Sequence, residues 1–173
     1  MEYELRPWKL SDAASLTVNF NNIAVWSNVG DNSPFPFTVK DGEKYLEELI
    51  EAKNKVHYAI LIDGNACGGV VFTKGEDVFR LNANVAFWLG EDYWNKRVMT
   101  NVLTDLVRIL FFHHPIIKVN AQVFANNQAA MRVLENVGFK REGVLRNAVI
   151  KNGDVLDLVL YGMCEEDRYK NEN

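Results

Sequence analysis

Apolar side chains recur along this chain with two rhythms, and each change of rhythm marks an element. Tyr3 to Trp8 reads as a first strand, stopped around Pro7. Ser11 and Asp12 are N-cap candidates for a helix kept partly apolar by Ala14, Leu16, Val18 and Phe20. Gly30 to Pro36, GDNSPFP, is a loop by composition. Thr38 or Asp41 opens a second helix to about Lys53, with Tyr45, Leu46, Leu49 and Ile50 on one face. Val56 to Ile62 and Ala66 to Thr73 predict a hairpin around Asp63-Gly64. After a turn at Gly75-Glu76-Asp77, Leu81 to Leu89 is a long strand with Val85, Phe87 and Leu89 on one face.

The strongest helix runs from Val98 to Phe112. Val98, Met99, Val102, Leu103, Leu106, Val107 and Leu110 recur at its period, and Pro115 ends it. Ile117 to Phe124 is a strand. In NNQAAMRVLENVGFKREGVLR, Ala130, Val133, Leu134 and Val137 form one helical face, and Gly138 sits where a helix stops with positive φ. A last hairpin pairs Val144 to Lys151 with Val155 to Met163 around Asn152-Gly153-Asp154. The order β-α-α-β-β-β-α-β-α-β-β predicts an α+β domain: a mixed, mostly antiparallel sheet with helices on both faces, an α/β sandwich.

At 173 residues the chain is expected to be a single domain over 1–165, with a polar, mobile tail over 166–173. A net charge of −4 argues against a nucleic-acid partner. No apolar run is long enough to span a membrane, and MEYELRPWKL lacks the apolar core of a signal peptide, so the expectation is a cytoplasmic protein. Cys67 and Cys164 fit no metal spacing and read as free thiols in a reducing compartment, a disulfide being the alternative. His113 and His114 fall where they would complement the C-terminal dipole of the long helix, and no metal site is expected.

The joint between the strand ending at Leu89 and the helix opening at Val98 is the chemically interesting place. A helix N-terminus offers unpaired N–H groups to a phosphate, and Lys96, Arg97 and Thr100 add charge and a hydroxyl. The alternative is a plain connection with two solvated basic residues.

A resemblance sharpens this picture. The stretch Tyr93 to Leu103, YWNKRVMTNVL, is similar to the "YWGKGYMTEAL" loop of the GCN5-related N-acetyltransferases (GNAT), ribosomal-protein RimJ/RimL-like branch. NVAFWLGEDYW resembles that branch's "E-I-G-Y-W-L-G-E-x-Y-W". The stretch from Asn126 resembles its "N-x-x-S…vlEK-GF…EG", and Gly153, Asp157 and Tyr161 match its C-terminal pattern. LRPWKLSDAASL and the segment from Asn21 to Leu46 extend the likeness over nearly the whole chain.

The resemblance implies acetyl-CoA as co-substrate and a small-molecule or peptide amine as acceptor, with a monomer or homodimer as the assembly. The backbone of Phe87, Trp88 and Leu89 would pair with the pantetheine arm. The N–H groups of Arg97, Val98, Met99 and Thr100 would hold the pyrophosphate. Asn127 would face the pantetheine or the thiol end, a role compatible with capping its helix.

Asn95 and Arg97 stand where the branch has glycines. Arg97 can keep the loop only if its φ is ordinary, with its side chain pointing away or onto a phosphate. Its side chain then either meets a phosphate or blocks the loop.

The positions that the resemblance would give an acid or base hold Asn84, Gln122, Ala130 and Leu134, none of which titrates near neutral pH. Three readings follow: catalysis by proximity with water moving the protons, recruitment of another group, or a non-catalytic acyl-CoA- or protein-binding module. Among other groups, Asp157 leads because it matches a family position; Glu91, His57, Tyr58 and Tyr161 follow. A structural hydrogen bond is the competing role for Asp157, and an ordinary strand position that for His57. Trp26, Phe35, Phe37 and Trp94 are candidates for the acceptor groove or for core packing, and Asp31, Glu47 and Glu48 for attracting a cationic amine or facing solvent.

Overall fold

The computed structural model describes residues 1–167. The chain divides into two compact units: Met1–Phe72 with Phe87–Val98, and Thr73–Ala86 with the described residues from Met99 onward.

The first unit carries β1 (Glu4–Arg6), α1 (Ala13–Phe20), α2 (Ile23–Trp26), α3 (Val39–Glu51), β2 (Lys55–Ile62) and most of β3 (Asn65–Lys74). Its strands run in the order β1-β2-β3, then the end of β4 (Asn82–Leu89). β1 pairs antiparallel with β2, Leu5 opposite Ile60. The β2–β3 turn uses Asp63 (φ 50°) and Gly64 (φ 78°), the double left-handed conformation that such a two-residue turn demands. Trp8, Leu16, Phe20, Leu46, Leu49 and Leu61 form the core. Gly68 allows β3 to approach β4 closely, since a Cβ there would lie 2.7 Å from the Trp88 carbonyl oxygen.

Thr38 caps α3, its hydroxyl accepting from the Asp41 N–H at 3.3 Å while the Asp41 carboxylate accepts from the Thr38 N–H at 2.8 Å. Both candidate openers of this helix therefore act, one from each end of a capping box. Leu46 and Leu49 are buried as expected, but Ile50 lies at the edge of the stripe and is exposed. Asp12 precedes α1, yet its carboxylate reaches backward rather than into the helix. It accepts from the Lys9 N–H at 2.9 Å and from two Arg6 nitrogens at 2.7 and 2.8 Å.

The second unit carries the start of β4, α4 (Val98–His113, all but its first residue), β5 (Lys118–Phe124), α5 (Gln128–Val137), β6 (Lys140–Lys151) and β7 (Asp154–Cys164). Its strands run β4-β5-β7-β6. β4 and β5 are parallel, with Asn82–Asn84 opposite Lys118–Asn120, and both strands run on past these pairs. β5 pairs antiparallel with β7 over its whole length. β6 and β7 form the expected hairpin, turning through Asn152 (φ 54°) and Gly153 (φ 86°). β6 begins four residues earlier than the periodicity suggested, because the Lys118–Glu142 ion pair at 2.8 Å and the pairing of Lys140 with Gly162 extend it. α4 buries Val102, Leu103, Leu106 and Leu110. α5 ends on Gly138 at φ 109°.

Glu165–Asp167 belong to the folded chain rather than to a tail. Asp167 is buried, accepts from the Cys164 N–H at 3.1 Å and pairs with Lys140. The rest of the expected tail, 168–173, lies outside the described residues. Cys67 and Cys164 are free thiols, as expected.

Candidate functional site

β4 ends at Leu89 and the chain reaches α4 through a short turn, Glu91–Tyr93, and the loop Trp94–Arg97. Three tethers shape this joint. The Gly90 N–H donates to the Cys67 carbonyl at 2.8 Å. The Trp94 indole N–H donates back to the Leu89 carbonyl at 2.7 Å. Lys96 donates to the Asp92 carbonyl at 2.6 Å and lies over the Tyr93 ring, 5.8 Å from its centroid. Lys96 and Arg97 are both exposed, Lys96 bonded back to the turn.

Asn95 (φ 58°) and Arg97 (φ 59°) are both left-handed. The expectation of an ordinary φ at Arg97 is therefore overturned. The two positions that carry glycine in similar loops keep a glycine-like backbone here with other side chains. Asparagine tolerates this region; arginine does not, at a cost of about 1 kcal/mol. Such strain persists when the surroundings over-determine the turn, as these tethers do. The α4 N–H groups of Val98, Met99 and Thr100 follow at once, and the first N–H groups of any helix lack intrahelical acceptors. A left-handed turn feeding a helix N-terminus, with a guanidinium beside it, is suited to a phosphorylated ligand.

The other expected ligand residues are placed as follows. The Trp88 ring belongs to the first unit's core, stacked 6.4 Å from Trp8 and edge-on to Phe20 at 5.0 Å. The residue is half-buried. The Leu89 carbonyl already accepts the Trp94 indole. Phe87 is half-buried. Asn127 caps α5, its Oδ1 accepting from the Ala130 N–H at 3.0 Å, and its amide NH2 remains as a donor.

Asn84 and Gln122 are exposed and Ala130 half-buried, whereas Leu134 is fully buried on the apolar face of α5. Asp157 accepts the Asn147 N–H at 2.8 Å. Asn147 sits at φ 51° in the register shift between Leu145 and Val149, so this carboxylate holds a β-bulge. Asp157→Asn retains an acceptor oxygen and is expected to change turnover less than about threefold. A general base would lose about 10²–10⁴-fold on the same change. Steady-state rates of the two proteins at matched acetyl-CoA decide between these roles.

Of the remaining titratable candidates, Tyr161, His57 and Glu91 are held in hydrogen bonds, and Tyr58 is half-buried. Tyr161 is buried and donates to Glu135 at 2.7 Å; burial, then the Glu135 hydrogen bond and charge, push its phenol up to about 12. His57 accepts the Trp8 N–H at 3.3 Å, and burial with the nearby Lys55 lowers its pKa, which keeps it neutral near pH 7. Glu91 accepts from Asn22 at 2.7 Å. His114 is lowered by burial, Lys74 and His113, the opposite of what a charge held by the helix dipole would show. Burial pushes the Cys67 thiol up to about 11 and leaves it unreactive. Of the aromatic candidates, Phe37 is core, and Trp94 packs against that core. The Trp26 and Phe35 rings lie 5.4 Å apart, tilted by 37°, with Phe35 exposed. Among the described residues no group of three His, Cys, Asp or Glu could hold a metal, and no helix is long and apolar enough to cross a membrane.

Sequence reasoning missed α2, a four-residue helix too short for periodicity to reveal. Its signal was Asn22 ahead of Ile-Ala-Val-Trp: the Asn22 Oδ1 accepts from the Ala24 N–H at 2.8 Å.

The acetyltransferase (GNAT) domain profile matches residues 3–140. The SPbeta prophage-derived uncharacterized N-acetyltransferase YokL of Bacillus subtilis (strain 168) is 27% identical over 139 residues, covering 79% of this chain and 77% of the relative. Two solved structures share the fold. Mycobacterium smegmatis RimJ, in complex with CoA-disulfide, has a TM-score of 0.86 at 20% identity over 95% of this chain and 83% of its own. RimL, a ribosomal L7/L12 alpha-N-protein acetyltransferase in complex with coenzyme A, has a TM-score of 0.84 at 21% identity over 94% and 93%. The expected mixed, mostly antiparallel sheet with helices is thus the GNAT fold.

Proposed function

We propose, from the premise that this chain belongs to the acetyltransferase (GNAT) domain family, that it transfers the acetyl group of acetyl-CoA to a primary amine of a small molecule or a protein N-terminus, as a cytoplasmic enzyme of the RimJ/RimL-like kind. The observation that carries the reading is the left-handed pair Asn95 and Arg97 at the entrance to α4. That backbone, the free N–H groups of Val98, Met99 and Thr100, and the Arg97 cation together fit a diphosphate. The backbone at Phe87, Trp88 and Leu89 and the Asn127 amide NH2 are the further contacts proposed for the carrier.

The bound thioester supplies an activated acetyl carbonyl. The neutral amine attacks that carbon, the C–S bond breaks, and the thiol leaves as coenzyme A. Asn84, Gln122 and Ala130 neither give nor take the protons, so water carries the amine proton away and protonates the thiolate. Proximity then supplies most of the acceleration, of the order of 7–11 kcal/mol for well-oriented partners. The same vacant acid and base seats favour a second reading, an acyl-CoA-binding module without turnover.

Thermal melting with and without ligand separates these readings. At a hundred times its Kd, a ligand that binds only the folded chain adds about 2.7 kcal/mol, roughly 5–11 °C in Tm for a chain of this size. The expected result is such a shift with acetyl-CoA and coenzyme A, and thiol release when an amine acceptor is added. A shift without thiol release across small amines and N-terminal peptides would support the module. No shift with any CoA species would overturn both.

A further inference from the structure

In the second unit the two faces of the sheet differ. Val85, Val119, Val123 and Tyr161 are buried on one face, and the Tyr161 hydroxyl donates to Glu135 of α5 at 2.7 Å, so α5 lies on that side. The alternate positions point the other way. They are Asn82 and Asn84 of β4 and Lys118, Asn120 and Gln122 of β5. The register sets Asn82 opposite Lys118 and Asn84 opposite Asn120, so all five share a face. Asn84 and Gln122 are exposed and the other three are half-buried. Parallel strands are ordinarily covered on both faces and rich in branched apolar residues, and asparagine is depleted from strands. Four amides on one face of a parallel pair run against both tendencies. They offer hydrogen-bond donors and acceptors without charge.

Glu142 adds a carboxylate to the same face. It falls in the register shift between Arg141 and Gly143 of β6, and its side chain lies over Gly162 of β7, where a Cβ would come 2.8 Å from Glu142 Oε2. Gly162 is opposite Asn120, which puts the carboxylate on the amide-lined side. Lys118 Nζ donates to Glu142 Oε2 at 2.8 Å. The two charges cancel, so the amides and the ion pair together carry no net charge.

We propose that the Lys118–Glu142 pair sets acceptor specificity: by holding this face neutral it admits a primary amine whose other polar groups are uncharged amides or hydroxyls, and it turns away polycationic amines. The inference deepens the proposed function and rests on it. β4 runs on from Asn84 into Phe87–Leu89, the backbone proposed for the acyl carrier, which puts acceptor and carrier on one strand. A polycation that gives up its hydration needs carboxylates in exchange, and the Glu142 carboxylate is already paired. Amide and hydroxyl groups find partners in Asn84, Asn120 and Gln122.

The test uses the whole chain at saturating acetyl-CoA and reads thiol release with two probes, an uncharged tetrapeptide amide with a free N-terminus and spermine. The ratio of their kcat/KM values is followed, because a change in folding or in the common chemistry acts on both probes alike. The parent is expected to prefer the peptide amide. Lys118→Met leaves Glu142 unpaired and should move the ratio toward spermine at least about fivefold at low salt, the effect of one unit charge about 4 Å away in a water-like medium. Glu142→Gln leaves Lys118 unpaired and should move the ratio by a similar factor the other way. Gln122→Glu, which adds a carboxylate of the same shape, should act like Lys118→Met. All three shifts should shrink near 1 M salt. A merely structural ion pair would lower the melting temperature in both single variants and leave the ratio constant. A parent that prefers spermine overturns the proposal alone, as does a ratio that Lys118→Met and Glu142→Gln leave unchanged or move in the same direction. No thiol release with either probe also overturns it. Release from other amines then shows the acetyltransferase reading standing without it, and no release from any amine removes both.

Discussion

Arg97→Glu is expected to weaken coenzyme A binding roughly 30–100-fold at low salt, with an unchanged melting temperature in the absence of ligand. The substitution reverses a charge beside the proposed diphosphate. Each unit charge at about 5 Å contributes close to 1 kcal/mol even in a water-like dielectric, and the reversal counts twice. The backbone cost is the same for both side chains, because neither suits φ 59°. Near 1 M salt, where screening acts within about 3 Å, most of the difference should vanish.

Arg97→Gly separates charge from backbone. Glycine adopts this φ freely, so the ligand-free variant should gain about 1 kcal/mol, or about 2–4 °C in Tm. It should also bind coenzyme A roughly tenfold more weakly at low salt, since the cation is gone. Calorimetric Kd values across a salt series, alongside melting curves, read both effects. Tighter binding in Arg97→Gly would mean that the arginine obstructs the loop.

Arg6→Ala is expected to cost about 2–3 kcal/mol, roughly 4–12 °C in Tm, at or below the low end of the roughly 3–5 kcal/mol for breaking a fully buried ion pair because Arg6 itself is partly exposed. Asp12 is 6% exposed and would keep the Lys9 N–H as its remaining donor.

The pH dependence gives this prediction a sign. Burial alone would raise the Asp12 pKa, but hydrogen bonds from Arg6 and the Lys9 N–H, with the Arg6 charge, take it below the ordinary value. A carboxylate depressed in the folded state contributes stability above its unfolded pKa and loses it as pH falls through the folded one. Without Arg6, burial loses its main counterweight and the folded pKa rises. The variant's penalty is then largest near neutrality and is relieved as pH falls through the raised value. Melting curves from pH 7 to pH 3 should show the gap between parent and variant closing. A gap that stays constant would mean that Arg6 acts through packing alone.

Much of the fold is legible without coordinates because it depends on neighbours in sequence. The period of α4 exposes its buried stripe directly, and Asp63-Gly64, Gly138 and Asn152-Gly153 announce their left-handed backbones by residue type. Thr38 with Asp41, and Asn127 ahead of α5, name their helices' starts because a cap bonds within three residues. The candidate site was legible at the same level: the joint after Leu89, the basic pair and the missing glycines can all be read in order along the chain.

What only the tertiary structure decided are the contacts that close across long separations. Arg97 looks like a residue that should refuse a glycine's conformation. Its φ is imposed by a turn anchored on Cys67 and Leu89, and no local propensity reports that. For Asp157 the sequence already offered a structural hydrogen bond beside an acid's role, but only the folded chain names its partner, the Asn147 N–H in the bulge. Asn22 and Glu91 lie sixty-nine positions apart and carry no motif between them. Local free energies set elements, caps and turns, so the sequence determined those by itself. Which polar groups meet depends on the packing that brings distant segments together, and only the folded chain specifies it.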